Sequence, residues 1–171
     1  MDSKKSAAIK ELLETERSYV QGLQTLSAVF SDPIKLTPKA LLLRRAIRNE
    51  NEKTQKLLTN DEISRIFSNV DTLLTLHVEL LRAFEERQNE GNYIVGDLML
   101  ERAPFLKMYS LYLNNYQVAM STLKMCQETN ADFSSFLEIA HRDSRLSGLN
   151  IVAFLLLPVQ RIPRSFFTFI F

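Results

Sequence analysis

Glycine and proline are scarce in this sequence, with four glycines and five prolines among 171 residues. Both residues mark turns, so a chain with so few of them makes few sharp reversals. All-β and α/β folds need more turns than this composition supplies. We therefore predict an all-α fold, an elongated bundle of long helices.

Cysteine, long apolar runs and excess charge are also missing. Cys126 is the one cysteine, which rules out an internal disulfide and favours a cytoplasmic location. The longest apolar run, Ile151–Val159, is far short of the roughly 20 residues that a membrane span needs, and the charged N-terminus does not read as a signal peptide. Lys and Arg total 21 against 20 Asp and Glu, which argues against a nucleic-acid partner.

Apolar residues at three-four spacing predict the helices. One amphipathic helix covers Asp2–Ser31, and the prolines of Asp32–Pro38 break it. A capping-box pattern at Thr59–Glu62 begins a helix that ends near Gly91. The remaining predicted helices are Pro38–Leu58, Gly96 to about Thr129 with a kink or a later start at Pro104, Asn130 to about His141, and Leu149–Phe171 interrupted by Pro158 and Pro163.

Two segments carry polar groups where the pattern calls for apolar ones. Glu16 lies four residues from both Leu12 and Val20 on the apolar stripe of the first helix. It either sits at the edge of the stripe or pairs with a buried arginine. The segment Leu155–Arg164 sets Gln160 and its neighbouring arginines in a proline-containing helix, which indicates either a shaped surface or a kink that fits packing. His77, on another apolar face, is predicted to be a core histidine with a satisfied ring nitrogen.

No enzymatic motif survives inspection. His141-Arg142-Asp143 resembles a kinase catalytic loop, but Asn150 follows at the wrong distance and no Gly-rich loop precedes it. The glycines are isolated, so no phosphate cradle is formed. Two histidines and one cysteine, far apart in sequence, make neither a metal site nor an activated nucleophile. We therefore expect a binding module with no catalytic residue, metal or cofactor.

The stretch ELLETERSYVQGL resembles the first conserved region of Dbl-homology domains, and HRDSRLSGLNIVAFLLLPVQRIPR resembles the third. Between them, IFSNVDTLLTLHVELLRAFEER and VGDLMLERAPFLKMYSLYLNNYQVAMSTL are similar to the middle helices of that family. The resemblance covers nearly the whole chain in the right order. It implies an elongated helical bundle that promotes GDP release from a Rho-family small GTPase (Rho-, Rac- or Cdc42-like) by non-covalent binding.

The resemblance also implies site residues. Glu16 matches the glutamate that engages switch I of the GTPase. Leu157, Gln160, Arg161 and Arg164 match positions that either face the GTPase or brace neighbouring helices. Leu157 stands where the family often has a basic residue, which implies an altered contact.

The end of the sequence departs from the family pattern. After the Q-R-I-x-R motif the chain continues as SFFTFIF, where the family has a leucine-rich run and a long final helix. We expect residues 1–171 to be a Dbl-homology domain that is incomplete at its C-terminus, without a pleckstrin-homology domain.

Two alternatives stay open. One is a helical scaffold that binds a protein partner without exchange activity, and the other is a membrane-surface helix module, for which no basic cluster beside an apolar face is evident. The position of Glu16 discriminates between exchange factor and scaffold. A surface shared with Gln160 and Arg161 favours exchange, whereas a private buried ion pair away from them favours the scaffold.

Overall fold

The computed structural model describes residues 2–35, 57–91 and 96–161, and every regular element in these ranges is helical. The α-helices in chain order are α1 (Asp2–Leu26), α2 (Asp32–Lys35), α3 (Asn60–Phe67), α4 (Val70–Asn89), α5 (Gly96–Arg102), α6 (Lys107–Thr129), α7 (Ala131–Ala140) and α8 (Ile151–Leu155). Residues 157–161, here called the 157–161 segment, are helical again after a turn at Leu156. The all-α prediction is confirmed.

Two apolar clusters hold the bundle together. The larger one joins the second half of α1 to α3, the start of α4, α6, α7 and α8. Its most buried members include Leu23, Phe30, Ile66, Leu73, Phe133 and Leu155. The smaller one lies where the first half of α1 meets the second half of α4, and consists of Ile9, Leu12, Leu13, Leu80 and Phe84. These pairings show that α1 and α4 run antiparallel. None of the helices in the described ranges is both long and apolar enough to cross a membrane.

The predicted break at Asp32–Pro38 is wrong for its first residues. The chain stays helical through a π-helical segment, Ser27–Ser31, and then through α2, which contains Pro33. In the π segment the N–H of Asp32 donates to the carbonyl of Ser27, one residue further back than in an α-helix. Pro33 follows this wider turn and sits early in α2, a position where its missing N–H costs least.

The helix predicted from Thr59 begins as expected. The Thr59 side chain accepts from the N–H of Glu62, and the Glu62 carboxylate accepts from the N–H of Thr59 at 2.7 Å, so the capping box is confirmed. One continuous helix is wrong, however, because Ser68 adopts a φ of 47° and separates α3 from α4. A tertiary contact accompanies the break. The side-chain amide of Asn69 donates a hydrogen bond to the backbone carbonyl of Met108 on α6 at 3.0 Å.

The later helices follow the prediction closely. A 3₁₀ segment, Ala103–Leu106, surrounds Pro104 and separates α5 from α6. Of the two expected outcomes, a kink or a later start, the long helix α6 shows the later start, at Lys107. Asn130 caps α7 through its side chain, as predicted. The last helix begins at Ile151, two residues later than expected, because the side chain of Asn150 caps it. The predictions on residues 36–56 and 162–171, including most of Pro38–Leu58, lie outside the described residues.

Candidate functional site

Glu16 lies in the middle of α1 and is completely buried. Its two carboxylate oxygens have different partners. Oε1 accepts from Nδ1 of His77 on α4 at 2.5 Å, and Oε2 accepts from the guanidinium of Arg161 in the 157–161 segment. The carboxylate therefore joins α1 to two elements that are 61 and 145 residues away in sequence.

His77 is bonded through both ring nitrogens. Because a carboxylate only accepts hydrogen bonds, Nδ1 carries the proton that His77 donates to Glu16. On the other side of the ring, Nε2 lies 2.6 Å from the hydroxyl of Tyr109 on α6, and that hydroxyl is 3.1 Å from the hydroxyl of Tyr19. The prediction of a core histidine with satisfied ring nitrogens is confirmed.

Aromatic rings enclose these polar groups. Tyr19 and His77 meet edge to face with ring centroids 4.7 Å apart, and the guanidinium carbon of Arg161 lies 5.2 Å from the centre of the Tyr19 ring. Burial raises the pKa of both Tyr19 and Tyr109 above the usual range of tyrosine. Both hydroxyls thus stay protonated. We call Glu16, Tyr19, His77, Tyr109 and Arg161 the Glu16 cluster.

The Glu16 cluster occupies the boundary between the two apolar clusters. Residues Leu12 and Leu13 of α1 belong to the smaller cluster, whereas Tyr19 belongs to the larger one. A charged pair in such a place is costly, since desolvation offsets much of the attraction between the charges. Proteins in which apolar side chains of similar volume replace a buried ion pair are often as stable as the original protein, or more stable. Burial of the pair is therefore weak evidence that it serves stability.

The 157–161 segment packs on α1 beside this cluster. Leu157 is half-buried, and a Cβ atom built on Gly22 would come within 2.5 Å of the Cδ1 atom of Leu157. Glycine at this position thus lets the segment approach α1 closely. Gln160 is exposed, next to the buried Arg161. Arg164 lies outside the described residues.

The structure therefore brings Glu16, Leu157, Gln160 and Arg161 to one region of the molecule. Of the two accounts of Glu16 that the sequence left open, pairing with a buried arginine is the one observed. The position of Glu16, which was expected to discriminate between exchange factor and scaffold, gives a mixed result. Glu16 is buried in an ion pair, as expected for a scaffold, but its partner is Arg161 and not a distant private arginine.

Sequence reasoning missed two members of this site, Tyr19 and Tyr109, and did not foresee that His77 binds Glu16. The signal was present, because Glu16 and His77 are polar residues on the apolar faces of two helices. Buried polar groups need partners, so two such residues on facing helices are candidates to satisfy each other. The tyrosines offered no comparable signal, since tyrosines at helical spacing usually only pack.

Comparison with known proteins relates this chain to one family. The RhoGEF domain family matches residues 8–167. Among curated proteins, the chain is 33% identical to the myosin-M heavy chain of Dictyostelium discoideum over 90% of its own length and 8% of that protein. It is 28% identical to Rac guanine nucleotide exchange factor B of the same organism, over 96% of this chain and 15% of that protein. The chain thus spans a small part of the curated relatives that it matches.

A solved structure shares the fold. The DH/PH domains of PDZ-RhoGEF, determined in complex with RhoA activated by GTP-γ-S, match with a TM-score of 0.72 and 21% identity. The match covers 94% of this chain and 42% of that one. At this level of identity the similarity establishes the helical architecture.

Proposed function

Because this chain belongs to the RhoGEF domain family, we propose that it is a guanine-nucleotide exchange module for a Rho-family small GTPase. The observation that carries the proposal is the meeting of two sequence motifs. Glu16 from ELLETERSYV and Arg161 from LLLPVQRIPR form one ion pair, and the exposed Gln160 lies beside it. A partner that docks on this region meets residues from both motifs at once.

The proposed mechanism makes and breaks no covalent bond. The module binds the switch regions of the GTPase and stabilises the nucleotide-free state more than the GDP-bound state. GDP then leaves faster, and GTP takes its place. Binding energy that is realised only in the intermediate accelerates exchange, which is how differential binding lowers a barrier. In this scheme Glu16 engages switch I. Each of Leu157, Gln160, Arg161 and Arg164 either contacts the GTPase or braces neighbouring helices of the module.

Two features of relatives support the choice of partner. The matched structure of PDZ-RhoGEF contains RhoA, and one relative is named as an exchange factor for Rac. We propose a GTPase of this class for the present chain. The cytoplasmic location and the incomplete C-terminus stay predictions.

A helical scaffold without exchange activity is the second candidate. The observation that favours it is the complete burial of Glu16, which has no surface to offer a partner in this structure. For exchange, Glu16 has to leave at least one of its two partners. A scaffold has no such requirement.

Release of a fluorescent GDP analogue from a panel of Rho-family GTPases separates the two candidates. The arms are the native chain, Glu16→Ala, and Glu14→Ala as a matched control from the exposed face of the same helix. A fourth arm carries a final helix grafted from another family member, which tests the prediction of an incomplete C-terminus. Exchange that Glu16→Ala abolishes and Glu14→Ala preserves supports the proposal. Absence of exchange in every folded arm, including the extended one, favours the scaffold.

A further inference from the structure

We propose that His77 is a positioning residue for Glu16, with Tyr109 holding the imidazole from behind. This inference rests on the proposed exchange function and concerns the same site. The two oxygens of the Glu16 carboxylate have different partners: His77 binds one, and Arg161 binds the other. These two contacts differ in where their residues lie.

Arg161 belongs to the 157–161 segment, which also presents the exposed Gln160 and the half-buried Leu157. A partner that docks on this segment disturbs Arg161 directly. His77 is buried to the same extent as Arg161, but it lies within α4 and has its other nitrogen bound by Tyr109 of α6. Docking on the segment therefore exchanges the Arg161 contact for a partner contact and leaves the His77 contact intact.

The His77 ring is well held for this task. Nδ1 faces Glu16 and Nε2 faces Tyr109, so both polar atoms of the ring have partners. The rings of Tyr19 and Tyr109 meet it edge to face, with interplanar angles of 81° and 86°. A ring fixed on all these sides presents its N–H in one direction. A carboxylate that is held by such a donor loses little further freedom when a partner binds, and this preorganisation favours binding.

The energetics point the same way. A buried ion pair adds little to stability compared with apolar packing, and here two further polar groups, an imidazole and a phenol, are buried to support it. Within the described residues, the Glu16 cluster is a buried polar group set between the two apolar clusters through which α1 packs. Such a local departure from good packing is expected at functional sites. His77 and Arg161 both bind the Glu16 carboxylate, and Tyr109 binds His77.

The test compares exchange rates of His77 variants at saturating concentration of the chain, with folding checked by circular dichroism. His77→Phe keeps an aromatic ring but cannot donate to Glu16. His77→Asn restores a donor close to the Nδ1 position. His141→Phe is the matched control, because His141 is exposed at the end of α7. Loss of a hydrogen bond to a charged group corresponds to about a tenfold slower release for His77→Phe, and His77→Asn should recover most of it.

A double-mutant cycle separates positioning from a purely structural role. In a Glu16→Leu background, which offers His77 no acceptor, His77→Phe should slow the residual exchange by less than about twofold, although its effect on the unfolding temperature persists. Tyr109→Phe is the second variant in case His77→Phe does not fold. It removes the partner of Nε2 and should slow exchange less than His77→Phe does.

Each other outcome overturns a defined statement. A native chain that never accelerates GDP release, even when extended, removes the proposed function and this inference with it. An active native chain in which His77→Phe is unimpaired or faster leaves the proposed function standing and overturns the positioning role. An equal loss in the Glu16→Leu background shows that His77 acts on the fold and not through Glu16.

Discussion

Removal of the Glu16 side chain is expected to destabilise the fold strongly. Glu16→Ala takes away the acceptor of both Arg161 and His77, and these two residues are 7% and 6% exposed. Arg161, which lies in a buried site, then loses its contact with the Glu16 carboxylate. Breaking a buried ion pair from one side typically costs about 3–5 kcal/mol in the free energy of unfolding. That is a large share of the roughly 5–15 kcal/mol available to a typical domain.

The corresponding fall in unfolding temperature is roughly 10 °C for a chain of this length. Thermal and urea unfolding followed by helical circular dichroism would measure it. Glu14→Ala serves as the control, because Glu14 is 61% exposed and its contact with Lys10 spans 4.0 Å. Such an exposed pair contributes less than about 1 kcal/mol. Glu16→Gln keeps the size of the side chain and removes only its charge, so its effect should be intermediate.

The reasoning is refuted if Glu16→Ala costs no more than Glu14→Ala. In that case the Glu16 carboxylate is not buried against Arg161 in solution, and the burial argument for the scaffold disappears as well. The result also bears on every exchange assay of Glu16→Ala. Loss of exchange is informative only at a temperature where that variant is shown to be folded.

Four further predictions concern regions away from this site. Thr59→Ala should cost about 1 kcal/mol through loss of the helix cap, measured by urea unfolding at pH 7. Hydrogen bonds from Thr59 lower the pKa of Glu62 below its ordinary value of 4.5, so Glu62 stabilises the fold above that value, and the advantage over Glu62→Gln should shrink as the pH falls through the lowered pKa. Phe84→Ala should cost about 3–5 kcal/mol, since Phe84 is 1% exposed in the smaller apolar cluster. Burial raises the pKa of Cys126 to about 11, so a thiol reagent at pH 8 should label it far more slowly in the folded chain than in urea.

The results that contradict these predictions are equally specific. A difference between the native chain and Glu62→Gln that stays constant from pH 7 to pH 3 would show that the capping contact does not shift the pKa. A loss of less than 1 kcal/mol in Phe84→Ala would mean that α1 and α4 do not close on each other at that end. Rapid labelling of Cys126 in the folded chain would place its thiol at the surface of α6.

The sequence by itself determined the helices and the family. Helical periodicity, the capping box at Thr59–Glu62 and the cap at Asn130 are local features, in which the interacting residues are three or four positions apart. Local chemistry of this kind can be read without knowledge of the fold. The motifs around Glu16 and Gln160, together with the two segments that lie between them in the right order, indicated a Dbl-homology domain, and the match over residues 8–167 confirms it.

Tertiary structure decided the points where distant residues meet. The break at Ser68 has no glycine or proline to announce it, and it coincides with a hydrogen bond from Asn69 to α6. The burial of Glu16 depends on partners 61 and 145 residues away. Periodicity shows that a side chain faces inward, but it does not show what it meets there. Only the packing of α1 against α4 and the 157–161 segment decided that this carboxylate is enclosed, because burial and ion pairing are properties of the assembled bundle and not of any single helix.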